Sequence, residues 1–203
     1  MNVPNKLTVL RLVLSLIYLG LMSSQLLAAQ AVALVVFIVA SITDFLDGNI
    51  ARKYNLVTSF GKLMDPLADK ILMLAAFVMM MQLPGLWIPG WAVVLILARE
   101  FLVTGLRTLA AAEGAVLAAL NSGKAKTVMQ IAFVIVFSVV SLAVSAANQA
   151  LIPATLLPLP LPTLTLGAQW ASFLGFLVIT VYTVHSGIEF TRANWRALRL
   201  NEL

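Results

Sequence analysis

Six long runs of apolar residues alternate with short polar or proline-containing stretches along the chain. The runs cover approximately residues 8–27, 31–50, 68–84, 87–110, 124–147 and 168–190. Each run is close to the roughly 20 residues that an α-helix needs to cross the hydrocarbon core of a bilayer. The pattern therefore predicts an all-α integral membrane protein with six transmembrane helices.

Charged residues are confined to one side of this predicted arrangement. The connectors after the first, third and fifth runs contain no Lys, Arg, Asp or Glu. Basic residues lie instead near the amino terminus, in or beside the other two connectors, and at the carboxyl-terminal end. The positive-inside rule assigns that side to the cytoplasm. We therefore expect a multi-pass protein of the cytoplasmic (inner) membrane with both termini in the cytoplasm.

The composition agrees with a membrane location and excludes several other classes of protein. Of the 203 residues, 62% are hydrophobic and only 10% are charged, whereas about 25% are charged in a typical soluble domain. The formal net charge of +5 is interpreted as orienting the protein and attracting anionic lipid headgroups, rather than as binding nucleic acid. The absence of cysteine excludes disulfides and thiolate metal sites.

Four aspartates fall in the stretch DFLDGNIARKYNLVTSFGKLMDPLADK, residues 44–70, where the second run ends and the third begins. Asp44 and Asp47 are three residues apart, and Asp65 and Asp69 are four apart, so each pair shares one face of a helix. Oxygen ligands without a nearby His or Cys favour Mg²⁺ or Mn²⁺, and two such ions would balance the four charges. Such ions suit phosphate chemistry, because they stabilise the charge of an in-line displacement. The pattern predicts a two-ion site near the cytoplasmic surface.

Neighbouring residues add to this interpretation, although two alternatives stay open. Gly48 and Gly61 leave room for a ligand or a helix to approach the backbone. The guanidinium group of Arg52 can bind a phosphate with two parallel hydrogen bonds. The aspartates could instead form structural salt bridges with the basic residues around them. A cation transporter would also need carboxylates within the membrane, but these acids cluster at one side and no path across is evident.

The same stretch resembles the signature of the CDP-alcohol phosphotransferase family, D-x2-D-G-x2-A-R-x8-G-x3-D-x3-D. The matching positions are Asp44, Asp47, Gly48, Ala51, Arg52, Gly61, Asp65 and Asp69. The resemblance implies an integral membrane enzyme with six transmembrane helices, usually a homodimer. It also implies transfer of a substituted phosphate from a CDP-linked donor to an alcohol, with release of CMP.

The resemblance further implies roles for individual residues. The expected metal ligands are Asp44, Asp47, Asp65 and Asp69. Asp69 would also act as the base that takes the proton of the acceptor hydroxyl. The expected contacts to the CDP donor are Asn5, Gly48, Arg52, Thr58 and Gly61. Asn5 belongs to the opening VPNKLTVLR, which is similar to the family's interfacial start and also contains Thr8 and Arg11 as candidates.

Recognition of the acceptor is assigned to residues of about 98–130, where basic side chains border the fourth and fifth runs. Arg and Lys are natural partners of a phosphate dianion, whereas a cationic alcohol such as choline gains nothing from them. The expected contacts to an acceptor phosphate are Arg99, Thr104, Arg107, Lys124 and Lys126. Glu100 and Glu113 are expected to balance local charge. Snorkelling of the basic side chains to the interface is the alternative.

The segments REFLVTGLRTLAA and GKAKTVMQ also resemble bacterial phosphatidylglycerophosphate synthases, the family members that use glycerol 3-phosphate. We therefore expect a single membrane domain over residues 1–203, with its active site at the cytoplasmic face. The implied reaction transfers a phosphatidyl group from CDP-diacylglycerol to sn-glycerol 3-phosphate. Inositol phosphate, serine or a lipid as the acceptor, and cation transport, are the alternatives.

Overall fold

The computed structural model of the chain describes residues 3–24, 26–54, 59–112, 117, 120–153 and 158–195. Within these ranges, side chains are described except at residues 3–7, 44–54, 59–67 and 69. Every regular element in this part of the chain is an α-helix, which confirms the all-α prediction. The helices are α1 (Val3–Ser23), α2 (Leu27–Tyr54), α3 (Ser59–Met80), α4 (Gly90–Ala112), α5 (Asn121–Asn148) and α6 (Leu161–Ala193).

Each predicted apolar run corresponds to one helix in chain order, but some helix ends differ from the prediction. The sequence predicts a polar connector over residues 51–62, whereas α2 continues to Tyr54 and α3 begins at Ser59. Ala, Arg and Lys are good helix formers, so a helix can continue past the end of its apolar run. The aspartate signature therefore occupies the ends of two helices rather than the edges of a long connector.

The proline-rich loop before the last helix ends earlier than predicted. The sequence predicts a loop over residues 153–162, but α6 begins at Leu161 and includes Pro162 in its first turn. Proline is tolerated there because its missing N–H would have no helical partner in the first turn.

Contacts between Cα positions divide the chain into two units. The first comprises residues 1–87 and 134–170, and the second comprises residues 88–133 and 171–203. In the first unit, α1 contacts both α2 and α3, and α2 also contacts α3. The buried positions of α1 recur every three or four residues, as one stripe of a helix requires. They are Thr8, Arg11, Ser15, Tyr18 and Met22. The Tyr18 ring packs against Phe37 of α2, with 6.0 Å between ring centroids.

The turn between α3 and α4 is held against the second half of α5 within the first unit. The Ser141 hydroxyl donates a hydrogen bond of 2.8 Å to the carbonyl of Pro84. Gly85 adopts a φ of 74°, and a Cβ there would lie 3.0 Å from both methyl carbons of Val144. The close approach and the positive φ both require glycine at this position.

We expect Gly85→Ala to lower the thermal unfolding midpoint of the purified protein in detergent. A left-handed conformation costs an L-residue roughly 1–2 kcal/mol, and the added methyl would also press on Val144. Gly167→Ala is the matched control, because its Cβ would meet nothing within 4 Å and alanine is the better helix former. Equal midpoints for Gly85→Ala and the control would contradict the close contact with Val144.

The surfaces of the helices are suited to lipid. Within the described residues, α5 and α6 are the two helices that are long and apolar enough to cross a membrane. Shorter apolar segments occur at residues 8–23, 27–43 and 70–80. Large apolar side chains are exposed on every helix, as at Leu16, Val35, Val78, Val94, Val128 and Val181. Such surfaces are unfavourable in water, so they indicate association with a membrane.

Candidate active site

The signature aspartates are carried by two helices that contact each other. Asp44 and Asp47 belong to α2, and Asp65 and Asp69 belong to α3. The helical backbone therefore gives each pair a common face. Since α2 contacts α3 and both contact α1, the four positions lie within one helix bundle in the first unit.

The side chains of the signature lie outside the described residues, so their predicted roles stay predictions. This applies to the proposed metal ligands and to the predicted donor contacts Asn5, Gly48, Arg52, Thr58 and Gly61. Among the side chains that the structure does describe, no group of three or more His, Cys, Asp or Glu could hold a metal ion. A purely carboxylate donor set on two contacting helices fits a hard divalent cation.

Two polar residues near the start of α1 are buried in the same unit. Thr8 is 3% exposed and Arg11 is 4% exposed, and both interact with other residues. Because only a short stretch separates α1 from α2, the two helices run antiparallel. The start of α1 thus lies beside the aspartate-bearing end of α2. A buried arginine needs anionic or polar partners, so this end of the bundle is polar inside.

A buried ion cluster joins α4 to α5 in the second unit. Glu100 is 7% exposed and Lys126 is 6% exposed. The Glu100 carboxylate accepts hydrogen bonds from Lys126 Nζ and from Arg99 Nη1. Burial of these charges is tolerable because each cation is paired with the carboxylate. The expectation that Glu100 balances local charge is thereby confirmed.

The second half of α6 supplies further partners for this cluster. Arg99 Nη2 donates a hydrogen bond of 2.9 Å to Ser186 Oγ. The guanidinium of Arg107 lies over the Phe190 ring, 5.0 Å from its centroid, as in a cation–π contact. The amide of Gln130 donates a 3.2 Å hydrogen bond to Thr183 Oγ1. These contacts of Arg99, Arg107 and Gln130, together with the Glu100 cluster, link helices α4, α5 and α6 and are called the polar seam below.

The predicted acceptor residues have different environments. Arg99 and Lys126 are brought together by Glu100, so Lys126 is a buried ion-pair partner and does not snorkel to the interface. Arg107 and Lys124 are exposed, and Thr104 is half-buried. Two of the basic residues are thus built into the protein interior, and two are accessible from its surface.

Sequence reasoning missed the contribution of α6 to this cluster. No site residue was predicted in the last apolar run, yet Thr183, Ser186, Gly187 and Phe190 all contact the polar seam. Their spacing of three, one and three residues places them on one face of the helix. Polar and small residues on one face of an otherwise apolar membrane helix favour helix–helix contact, and that signal could have identified them.

Comparison with known proteins points consistently to one kind of enzyme. The model of the CDP-alcohol phosphatidyltransferase family matches residues 1–161. The CDP-diacylglycerol--glycerol-3-phosphate 3-phosphatidyltransferase of Bacillus subtilis is 39% identical over 98% of this chain and 97% of its own length. The protein of the same name from Rickettsia felis is 46% identical over 64% of this chain and 70% of its own. A probable phosphatidylglycerophosphate synthase of Mycobacterium tuberculosis is 44% identical over 64% of this chain and 62% of its own.

Proposed function

The chain belongs to the CDP-alcohol phosphatidyltransferase family, and from this we propose that it is a transferase that makes phosphatidylglycerophosphate. In the proposed reaction, the phosphatidyl group of CDP-diacylglycerol is transferred to sn-glycerol 3-phosphate and CMP is released. The Bacillus subtilis relative that matches nearly the whole chain carries the name of this activity. Within this chain, the observation that supports a phosphorylated acceptor is the ion cluster around Glu100.

This cluster suits a phosphorylated acceptor on grounds of charge. Arg99 and Lys126 both pair with the carboxylate of Glu100, which leaves these three groups with a net charge of +1. Arg107 and Lys124 are two further basic residues of the same stretch. A phosphate dianion is attracted by such a group, and an arginine can bind it with two parallel hydrogen bonds. A cationic alcohol would be repelled, and an uncharged alcohol would gain little. The proposed phosphate contacts are Arg99, Thr104, Arg107, Lys124 and Lys126.

The aspartate-bearing ends of α2 and α3 are the proposed donor site. Asp44, Asp47, Asp65 and Asp69 would hold two Mg²⁺ or Mn²⁺ ions, which when bound supply stabilisation of the charge developing on the donor phosphates. Arg52 would bind the pyrophosphate of the donor. The hydroxyl oxygen of the acceptor would attack the phosphorus of the phosphatidyl group, and CMP would leave. Asp69 would receive the proton of that hydroxyl.

We propose that the enzyme crosses the cytoplasmic membrane six times, with both termini and the active site on the cytoplasmic side. Two observations favour this topology. Charged residues are absent from three of the five connectors, and large apolar side chains are exposed on all six helices. A homodimer is proposed from the family resemblance. Accessibility labelling of single cysteines placed at residues 3, 55 and 152 would test the topology. Residues 3 and 55 should be labelled only from the cytoplasm, and residue 152 only from the opposite side of the membrane.

The reaction is tested by measuring CMP release from CDP-diacylglycerol by the purified protein with Mg²⁺. We expect release with glycerol 3-phosphate and little above background with inositol phosphate, serine, glycerol or no acceptor. Thin-layer chromatography of the lipid product should show phosphatidylglycerophosphate. Release with another acceptor would overturn the choice of glycerol 3-phosphate while keeping the family. Absence of CMP release with every acceptor would contradict the transferase assignment for this chain.

A further inference from the structure

Arg99 occupies a close-fitting position against the backbone of α6. A Cβ on Gly187 would lie 2.8 Å from Arg99 Cγ and 3.2 Å from Arg99 Nε. These distances are shorter than ordinary van der Waals contacts. The nearest of these atoms belongs to the side-chain stem, so the whole arginine would have to move to admit a methyl group. Gly187 is therefore needed for close approach at this position.

The guanidinium of Arg99 is fixed at its far end as well. Its Nη2 donates to Ser186 Oγ at 2.9 Å, and its Nη1 donates to Glu100. The Arg99 side chain is only 9% exposed. Its Nε–H is buried without an acceptor among the described residues. A buried N–H without a partner is costly, and a phosphate oxygen is an acceptor that would satisfy it.

The residues that hold Arg99 in this way lie beyond the segment that matches the family. That match ends at residue 161, whereas Ser186 and Gly187 belong to the second half of α6. The donor signature lies within the match, at residues 44–69. The orientation of a proposed acceptor-binding arginine thus depends on a part of the chain outside that match.

We propose that Ser186 and Gly187 are positioning residues that orient the Arg99 guanidinium toward the phosphate of the acceptor and so help to select a phosphorylated alcohol. This inference rests on the proposed function, since it names how one residue of that site is held. Gly187 admits the arginine stem against the backbone, and Ser186 fixes one of its terminal nitrogens. The unused Nε–H then remains as a donor for the ligand.

Steady-state kinetics with Gly187→Ala and Ser186→Ala test this proposal. We expect each variant to raise the KM for glycerol 3-phosphate by about tenfold, the size of one lost charged hydrogen bond. The KM for CDP-diacylglycerol should stay unchanged. The preference for glycerol 3-phosphate over glycerol should fall, which a merely structural defect would not produce. Gly105→Ala is the matched control on α4, since its Cβ would meet nothing within 4 Å.

A double-mutant cycle separates positioning from general packing. In an Arg99→Ala background the arginine stem is gone, so adding Gly187→Ala should produce no further rise in the KM for glycerol 3-phosphate. An equal effect in both backgrounds, or an unchanged KM and preference in the single variants, would overturn the positioning role. If the wild-type enzyme itself releases no CMP with glycerol 3-phosphate, the proposed function fails first, so the two failures are distinguishable.

Discussion

Asp69→Asn is expected to lower the rate of CMP release by roughly 10²–10⁴-fold, the range that a positioned acid or base contributes. The substitution keeps the size of the side chain but removes its charge and its capacity to accept the acceptor's proton. Asp69 also belongs to the oxygen set proposed for the divalent ions, and an amide is a weaker ligand for such ions than a carboxylate. The measurement is single-turnover CMP release at saturating glycerol 3-phosphate and Mg²⁺.

The control for this loss is a second carboxylate-to-amide change far along the chain. Glu189→Gln alters an exposed residue of α6 and should leave CMP release within about twofold of wild type, as expected for a surface change without a role in the site. Binding of CDP-diacylglycerol by Asp69→Asn should be largely retained, because three of the four proposed aspartate ligands remain. An Asp69→Asn enzyme with wild-type turnover would refute its assignment as the base.

Glu100→Leu is expected to destabilise the folded protein by about 3–5 kcal/mol, because removing one member of a buried ion pair leaves the other charge uncompensated. Lys126 would then be a buried cation deprived of its carboxylate partner. Arg99 would lose one of its hydrogen bonds as well. Thermal unfolding in detergent, together with the yield of monodisperse protein, measures this loss.

A compensating variant distinguishes an unpaired charge from a damaged core. Replacing a buried pair by apolar residues is often neutral or stabilising, so Glu100→Leu combined with Lys126→Met should recover the part of the loss that comes from Lys126, while Arg99 stays without its carboxylate partner. The combined variant should remain poor in turnover with glycerol 3-phosphate, because a proposed phosphate contact is gone. A Glu100→Leu protein as stable as wild type would show that the ion pair has little part in stability.

The number and order of the helices could be predicted because each depends on local information. An apolar run of about 20 residues needs no distant partner to be recognised as a helix. The helix ends around the aspartates were harder to predict. The extension of α2 to Tyr54 depends on the helix propensity of polar residues beyond the apolar run. Propensity is weak compared with hydrophobic patterning, so the predicted connector was too long.

The contacts of the basic residues could not be predicted from spacing alone. Glu100 and Lys126 are 26 residues apart, and Arg99 and Ser186 are 87 apart. Which cation meets the carboxylate depends on how α4, α5 and α6 pack, and no local pattern specifies that. Charge could identify the region as cationic, but it could not separate the interior Lys126 from the exposed Lys124.

Glu100 also bears on the interval between one turnover and the next. A group of cations without an internal anion would attract sulfate, chloride or free phosphate from the surrounding solution. Because the Glu100 carboxylate already accepts hydrogen bonds from Lys126 and Arg99, it reduces this attraction before an acceptor arrives. In the proposed enzyme, the resting partner of the two cations is therefore a group of the protein rather than a dissolved ion, which keeps competing inorganic anions weakly bound.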